Sequence, residues 1–443
     1  MKGRNPWMDR VDCTLSNADL MRRLRVSAPP APLRRTRDPN FAAEMLADRL
    51  RAIFVPTPQT CDVIRRVLAR ACAHLQLYYS DPSDYLRGVN ASKPPLQETE
   101  AICLTGLAGV GKTSIAKALK RLLCDTVSVT PGSGYPAVEL ESLWHVTVES
   151  SRALRDLLAQ PLRGRLADVA SMRSEARLCE YAGRIAHRHG VSLLVADEWQ
   201  FVTQSAGANA VLTRLLHALR YVGLPLVFVA NYSLVSRLAQ RSQEDQHRLL
   251  SHPIVVRPDA PDDASTLDLY REYHLASEGA LLQDSKEQLE QIHDYTRGLK
   301  RNRIALLTLS FRIACAAGKE AVGTEHLEAA YKSMEFARFR NEAELLRRQD
   351  LTGREARKDL WCPFPLPSTE AAEAAERESD REQEILSTKV LKASLTPKER
   401  DAYQSIQADT ASSVKASARR RRPSPTLAEL RAGSERYRLE RQK

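Results

Sequence analysis

Two stretches of this chain combine residue types that could do chemistry together. GLAGVGKT, from Gly106 to Thr113, has the spacing G-x-x-x-x-G-K-[ST]. Gly106, Gly109 and Gly111 let the backbone curl so that its N–H groups face inward, and a helix opening at Ser114 would aim its positive end at the same point. That arrangement suits phosphate. Lys112 is placed for the β and γ phosphates of a nucleotide and the Thr113 hydroxyl for Mg²⁺, so ATP and Mg²⁺ are the expected ligands. LLVADEWQF, from Leu193 to Phe201, runs apolar residues into two carboxylates. Alone it would suit the end of an ATPase strand, a helicase box, or a buried strand with a charged tip. Beside a phosphate-binding loop, Asp197 suits a carboxylate that holds Mg²⁺ through water, and Glu198 a base that orients the attacking water. The helicase reading needs a second nucleotide-binding domain, and no strand pattern follows Asp262. Trp199 is expected to pack beneath the nucleotide rather than to touch it.

The elements that must position these residues are legible as alternating apolar runs and helical periodicities, the pattern of an α/β fold with a parallel sheet. The predicted strands are AICLTG (101–106), LWHVTVE (143–149), VSLLVAD (191–197), PLVFVAN (225–231) and HPIVVRP (252–258). Helices are predicted over 40–53, 61–79 and 114–123, and then over 264–277, 285–296, 302–317 and 324–348. This gives a basic flexible arm (1–39), an N-terminal helical segment (40–100), an α/β core (101–261), a helical lid (262–350) and an extended tail (351–443) for partner docking or DNA contact.

In this order the chain resembles the AAA+ P-loop NTPases: phosphate-binding loop, Asp-Glu pair, a polar-tipped strand and a helical lid. The resemblance makes Asn231, at the tip of PLVFVAN, a sensor residue between catalytic water and γ phosphate, though a lone asparagine there is also a common helix cap. It implies an arginine that enters a neighbouring subunit's site. Arg237, Arg241 and Arg248 are the candidates, and Arg248 lies nearest the fifth strand. It also implies a lid arginine after Gly298, with Arg301 preferred on spacing and Arg303 left open. Within AAA+ proteins, GLAGVGKTS, ADEWQ, VANYS and the Gly298 segment are similar to the regulators of DNA transposition, the TnsC and TniB family, with MuB more distant. Gln200 tilts the resemblance toward that family without an evident physical role. The resemblance covers Phe41 to Arg348. It implies an ATPase that forms a homo-oligomeric ring or filament on double-stranded DNA and connects a target-selector protein to a transposase. DNA contacts are implied between the second strand and Asp197, where residues 149–177 hold Arg152, Arg155, Arg163 and Arg165 and have no aromatics for base stacking. A replication initiator or helicase loader, or a signalling P-loop scaffold, would share the nucleotide site. No acidic triad for DNA cleavage is recognisable.

The chain's +11 net charge is uneven: residues 1–37 and 415–443 together carry +13, leaving −2 for the rest. RRTR (Arg34 to Arg37) and ARRRRP (Ala418 to Pro423) read as mobile arms that attract polyanions. WCPFPLP (Trp361 to Pro367) reads as a partner-docking segment or as one folded back on the lid. Eight dispersed cysteines fit free thiols in a reducing compartment. The spacing of Cys179, His187 and His189 matches no common zinc site. With no apolar run long enough to span a bilayer, no membrane is expected and a cytoplasmic protein is.

Overall fold

Short helix-start signals recur before the sheet. Asp38-Pro39, Thr57-Pro58 and Asp81-Pro82 each place a capping side chain before a proline, and each cap accepts a hydrogen bond from the first turn of its helix. The computed structural model describes residues 5–29, 38–91, 100–123, 125–148, 153–162, 172, 174–197, 199, 208–261, 263–281 and 286–364. These belong to one unit, Met1–Leu366. It opens with α1 (Asn17–Leu24), α2 (Pro39–Ala52), α3 (Pro58–Tyr79) and α4 (Pro82–Asn90). The core follows as β1 (Ile102–Gly106), α5 (Lys112–Leu122), β2 (Val127–Val129), β3 (Val138–Leu140), β4 (Leu143–Thr147), α6 (Leu154–Ala159), α7 (Glu175–Arg188), β5 (Leu193–Asp197), α8 (Ala208–Arg220), β6 (Leu226–Asn231), α9 (Tyr232–Leu238), α10 (Gln243–Leu250) and β7 (His252–Val256). The last helices are α11 (Ala264–Ala276), α12 (Lys286–Thr296), α13 (Lys300–Ala316), α14 (Thr324–Lys332) and α15 (Ala337–Thr352).

The main sheet runs β4-β5-β6-β1-β7 with every pairing parallel, which is the α/β class read from the sequence. Parallel strands are covered on both faces, which explains why β1 and β5 are apolar runs buried at every position. Alternate residues divide between two cores. Cys103, Trp144, Leu194 and Phe228 pack with α6 to α9, while Ile102, Leu104, Val195 and Val229 pack with α1, α3 and α5. Register brings the strand ends together, with Gly106 beside Asn231 on one side and Val256 on the other, and Thr147 beside Asp197. The carboxyl ends of such strands are where α/β sheets bind ligands.

Two expectations are corrected, for the N-terminal arm and for the helix over 324–348. The N-terminal arm is not free, because Trp7, Val11, Leu15, Leu20 and Leu24 are buried against α3 and the sheet. Two of its arginines are used within the fold: Arg10 donates to Gly190 O at 2.6 Å, and Arg25 pairs with Glu272 at 2.8 Å. The N-terminal helical segment is divided by its packing, α2 joining the lid helices in one apolar cluster and α3 joining the sheet. The helix predicted over 324–348 is broken between α14 and α15, where Ser333 Oγ accepts from Phe336 N at 3.2 Å and Phe336 turns into the lid core. RRTR and ARRRRP lie outside the described residues, as does Pro365 onward.

Candidate nucleotide-binding site

The loop after β1 folds as its glycines require. Gly109 and Gly111 have φ of 82° and 115°, in the region that side chains resist. Gly111 is the N-cap of α5 and supplies no side-chain hydrogen bond, so the helix start presents bare backbone donors. Lys112 is buried, and its ammonium donates to the Gly106 and Leu107 carbonyls, both at 2.8 Å. Thr113 Oγ1 donates to Asp197 Oδ1 at 3.5 Å, across the gap between α5 and the end of β5. Asp197 is 3% exposed. A hydroxyl and a buried carboxylate this close are hard oxygen donors that fit Mg²⁺, which takes few protein ligands and keeps waters. Ser114 follows in the first turn of α5.

The lid closes on this loop from the other side. Leu299 caps α13 without a side-chain bond; instead Arg301 N donates to Gly109 O at 3.1 Å, so the phosphate loop itself satisfies the helix start. A side chain at Gly109 would stand 2.7 Å from Arg301 Cβ. Gly298, with φ of 68°, is just as tightly placed, 2.5 Å from Asp259 O by the same measure. Arg301 is exposed beside the loop, whereas Arg303 is wholly buried, donating to Gly298 O at 3.0 Å and pairing with Asp259 at 3.4 Å. Arg303 also lies over the Tyr270 ring at 5.3 Å. Of the two lid arginines, then, Arg301 is the one set toward the nucleotide loop. Sequence reasoning gave Lys300 no role, yet its Nζ reaches Ile53 O at 3.0 Å and Ser114 Oγ at 3.5 Å. Burial, with Arg303 nearby, pulls that ammonium down to about 8. The signal for it was its position as the first residue of α13.

Asn231 ends β6 beside Gly106, half-buried, and occupies the N-cap position of α9 without making a side-chain cap bond. Trp199 is buried in the core shared with α6 and α8, its indole N–H donating to Ala196 O at 3.1 Å. Arg248 pairs with Glu244 at 2.6 Å on α10, and Arg241 with Asp245 at 3.2 Å; Arg237 is half-buried on α9. Arg155 is exposed on α6 and donates to the Met172 carbonyl. Glu198, Gln200, Arg152, Arg163 and Arg165 lie outside the described residues. Among the described residues no group of His, Cys, Asp and Glu could hold a metal by itself.

Phosphate loop, buried carboxylate, polar strand tip and lid thus converge at one end of a parallel sheet. Residues 96–238 match the AAA domain. The match starts ahead of β1 and ends in α9, so it takes in the phosphate loop, Asp197 and Asn231. The fold is an AAA+ core followed by C-terminal helices. Similar solved structures include the Aeropyrum pernix ORC1 protein in complex with DNA, at 18% identity and a TM-score of 0.42 over 76% of this chain and 80% of that one. The Pyrobaculum aerophilum CDC6P protein is 17% identical, with a TM-score of 0.38 over 70% of this chain and 79% of that one. The Thermotoga maritima RuvB Holliday junction branch migration motor is 12% identical, with a TM-score of 0.33 over 70% and 80%. No curated protein matches the chain. No described helix is long and apolar enough to cross a membrane.

Proposed function

We propose that this AAA domain binds and hydrolyses ATP, and that nucleotide state controls assembly of a homo-oligomer on double-stranded DNA in the regulation of transposition. The observation that carries the nucleotide half is the meeting of Lys112, Thr113, Asp197 and Arg301 around one loop. Lys112 offsets phosphate charge, and the inward N–H groups at the start of α5 hold the phosphate oxygens. Mg²⁺, held by Thr113 and Asp197, would neutralise charge developing on the β and γ oxygens. Glu198 orients the attacking water, Asn231 fixes that water against the γ phosphate, and Arg301 brings positive charge from the lid. Arg248, or Arg237 or Arg241, completes the site from a neighbouring copy, which makes assembly and hydrolysis interdependent.

Residue-level resemblance around ADEWQ supports the transposition role, in which the assembled protein connects a target selector to a transposase. Arg152, Arg155, Arg163 and Arg165 are the proposed phosphate contacts. A replication initiator or helicase loader is the second reading, favoured by the fold shared with the ORC1 and CDC6P proteins, the former solved on DNA. Both readings use the same site and the same nucleic acid, and they part on partners: co-purification with a transposase subunit supports the first, with a replicative helicase the second. Electron microscopy with duplex DNA tests what they share. Rings or filaments with ATP but not with ADP are expected, and monomers in every condition would sink the proposal. Hydrolysis is tested separately by Glu198→Gln, which is expected to bind ATP and lose turnover.

A further inference from the structure

Beyond α15 the chain returns to the nucleotide site. Gly353 ends that helix with φ of 61°, its N–H donating to Gln349 O at 2.8 Å. Gln349, almost fully buried, then holds the returning segment with both ends of its amide. Oε1 accepts from Ala356 N at 3.1 Å and Arg357 N at 3.4 Å, and Nε2 donates to Leu360 O at 3.2 Å. This delivers Leu360 into a small apolar cluster with Leu107, Tyr232, Leu299 and Leu346, with Val110 and Cys362 packed on its edge. The Tyr232 hydroxyl lies near the Cys362 thiol, and Phe364 packs on the main core. Of the two readings the sequence left open for WCPFPLP, its first four residues follow the folded-back one.

The partners of Leu360 are the backs of the segments whose fronts make up the site. Leu107 and Val110 belong to the phosphate loop, and the Leu107 carbonyl accepts from Lys112. Tyr232 follows Asn231, and Leu299 precedes Lys300 and Arg301. We propose that residues 353–364 are a strap that positions these three segments relative to one another, so that its seating and nucleotide occupancy are coupled and the state of the site reaches the chain beyond Phe364. The proposal rests on the nucleotide reading above. A ligand held jointly by the loop, the β6 tip and the lid favours the one arrangement in which the pocket for Leu360 also exists. Two events that favour the same arrangement are linked, and the linkage is reciprocal: ATP steadies the strap by the factor by which the strap tightens ATP.

Arg354, Arg357 and Lys358 are exposed on the strap, so trypsin can report its release in the full-length protein. Cleavage at these bonds, followed by mass spectrometry, is expected to slow about fivefold or more at saturating ATP and Mg²⁺, in the usual range of coupling between sites. Leu360→Ala is expected to weaken binding of a fluorescent ATP analogue by a similar factor while still unfolding in a cooperative transition, and Leu360→Met to restore the affinity. Wild type that binds no nucleotide would defeat the nucleotide reading and the strap with it. Wild type that binds nucleotide, with strap cleavage and Leu360→Ala affinity both unchanged, would overturn the strap alone. Either effect without the other breaks the reciprocity and counts against it as well.

Discussion

Arg301 lies exposed beside Gly109, while Arg303, two residues on, is enclosed by Gly298, Asp259 and Tyr270. Similar in the sequence, they should separate in experiment. Arg303→Ala leaves the Asp259 carboxylate without its partner and is expected to destabilise the protein by about 3 kcal/mol. Arg301→Ala is expected to leave the melting temperature within a degree or two and to weaken ATP binding about tenfold, the size of one charge-assisted hydrogen bond. Equal effects of the two on stability would contradict the geometry. The glycines of the loop offer a second comparison. Gly109 and Gly111 both have positive φ, so alanine strains either by roughly 1–2 kcal/mol. Only at Gly109 does the new methyl meet a neighbour, Arg301 Cβ, whereas the space at Gly111 is open within 4 Å. Gly109→Ala should therefore lower the unfolding midpoint more than Gly111→Ala, as denaturant titration would measure.

At the scale of elements, the segment before α2 is part of the framework. Trp7 packs on Tyr85 with ring centroids 5.0 Å apart, and Arg10 reaches across to Ser142 and Gly190. Trp7→Ala is expected to cost about 3–5 kcal/mol in chemical unfolding, as other large truncations in cores do. A free arm would show no change. This segment was illegible in the sequence because the basic excess of residues 1–37 read as an arm although Trp7, Val11, Leu15, Leu20 and Leu24 are apolar, and only the folded partner shows where each one goes. The strands were legible for the opposite reason: burial on both faces leaves a continuous apolar run with a polar residue at its working end, as at Asp197 and Asn231. The short hairpin of β2 and β3 escaped notice, since three residues a side give no period to read. The β4 edge carries a feature no pattern announces. The Gln160 amide donates to Thr147 O at 2.9 Å and accepts from Thr147 N at 3.0 Å, standing in for a strand residue. Thr147 is the register partner of Asp197, so this bracket steadies the strand beside the candidate Mg²⁺ ligand.

For the whole molecule, pH sets a limit that the nucleotide site does not. His74 and His187 are buried where α3, α4 and α7 meet, and His187 packs against the rings of Tyr79 and Tyr85, with centroids at 5.0 and 5.6 Å. Burial, with His187 adding to it, draws His74 down to about 3, and burial also lowers His187 against the pull of the Tyr85 carbonyl. His74 stays neutral in the folded state down to about 3 while the unfolded chain takes up a proton below about 6.5. Its contribution to stability is complete above about 6.5 and is lost as pH falls toward 3, at on the order of 1 kcal/mol per pH unit, and the lowered His187 acts in the same direction. The thermal midpoint should be flat from pH 8 to 7 and fall from 6.5 to 5, with a shallower fall in His74→Leu; an identical slope in that variant would remove His74 from the account. One feature of the strap bears on how the chain can be watched. Of its four tryptophans, Trp7, Trp144 and Trp199 are 3%, 1% and 0% exposed, whereas Trp361 is 36% exposed. The protein thus carries three steady blue-emitting fluorophores and one open to a soluble quencher, and that one sits on the segment whose release is in question, so the chain is its own optical reporter.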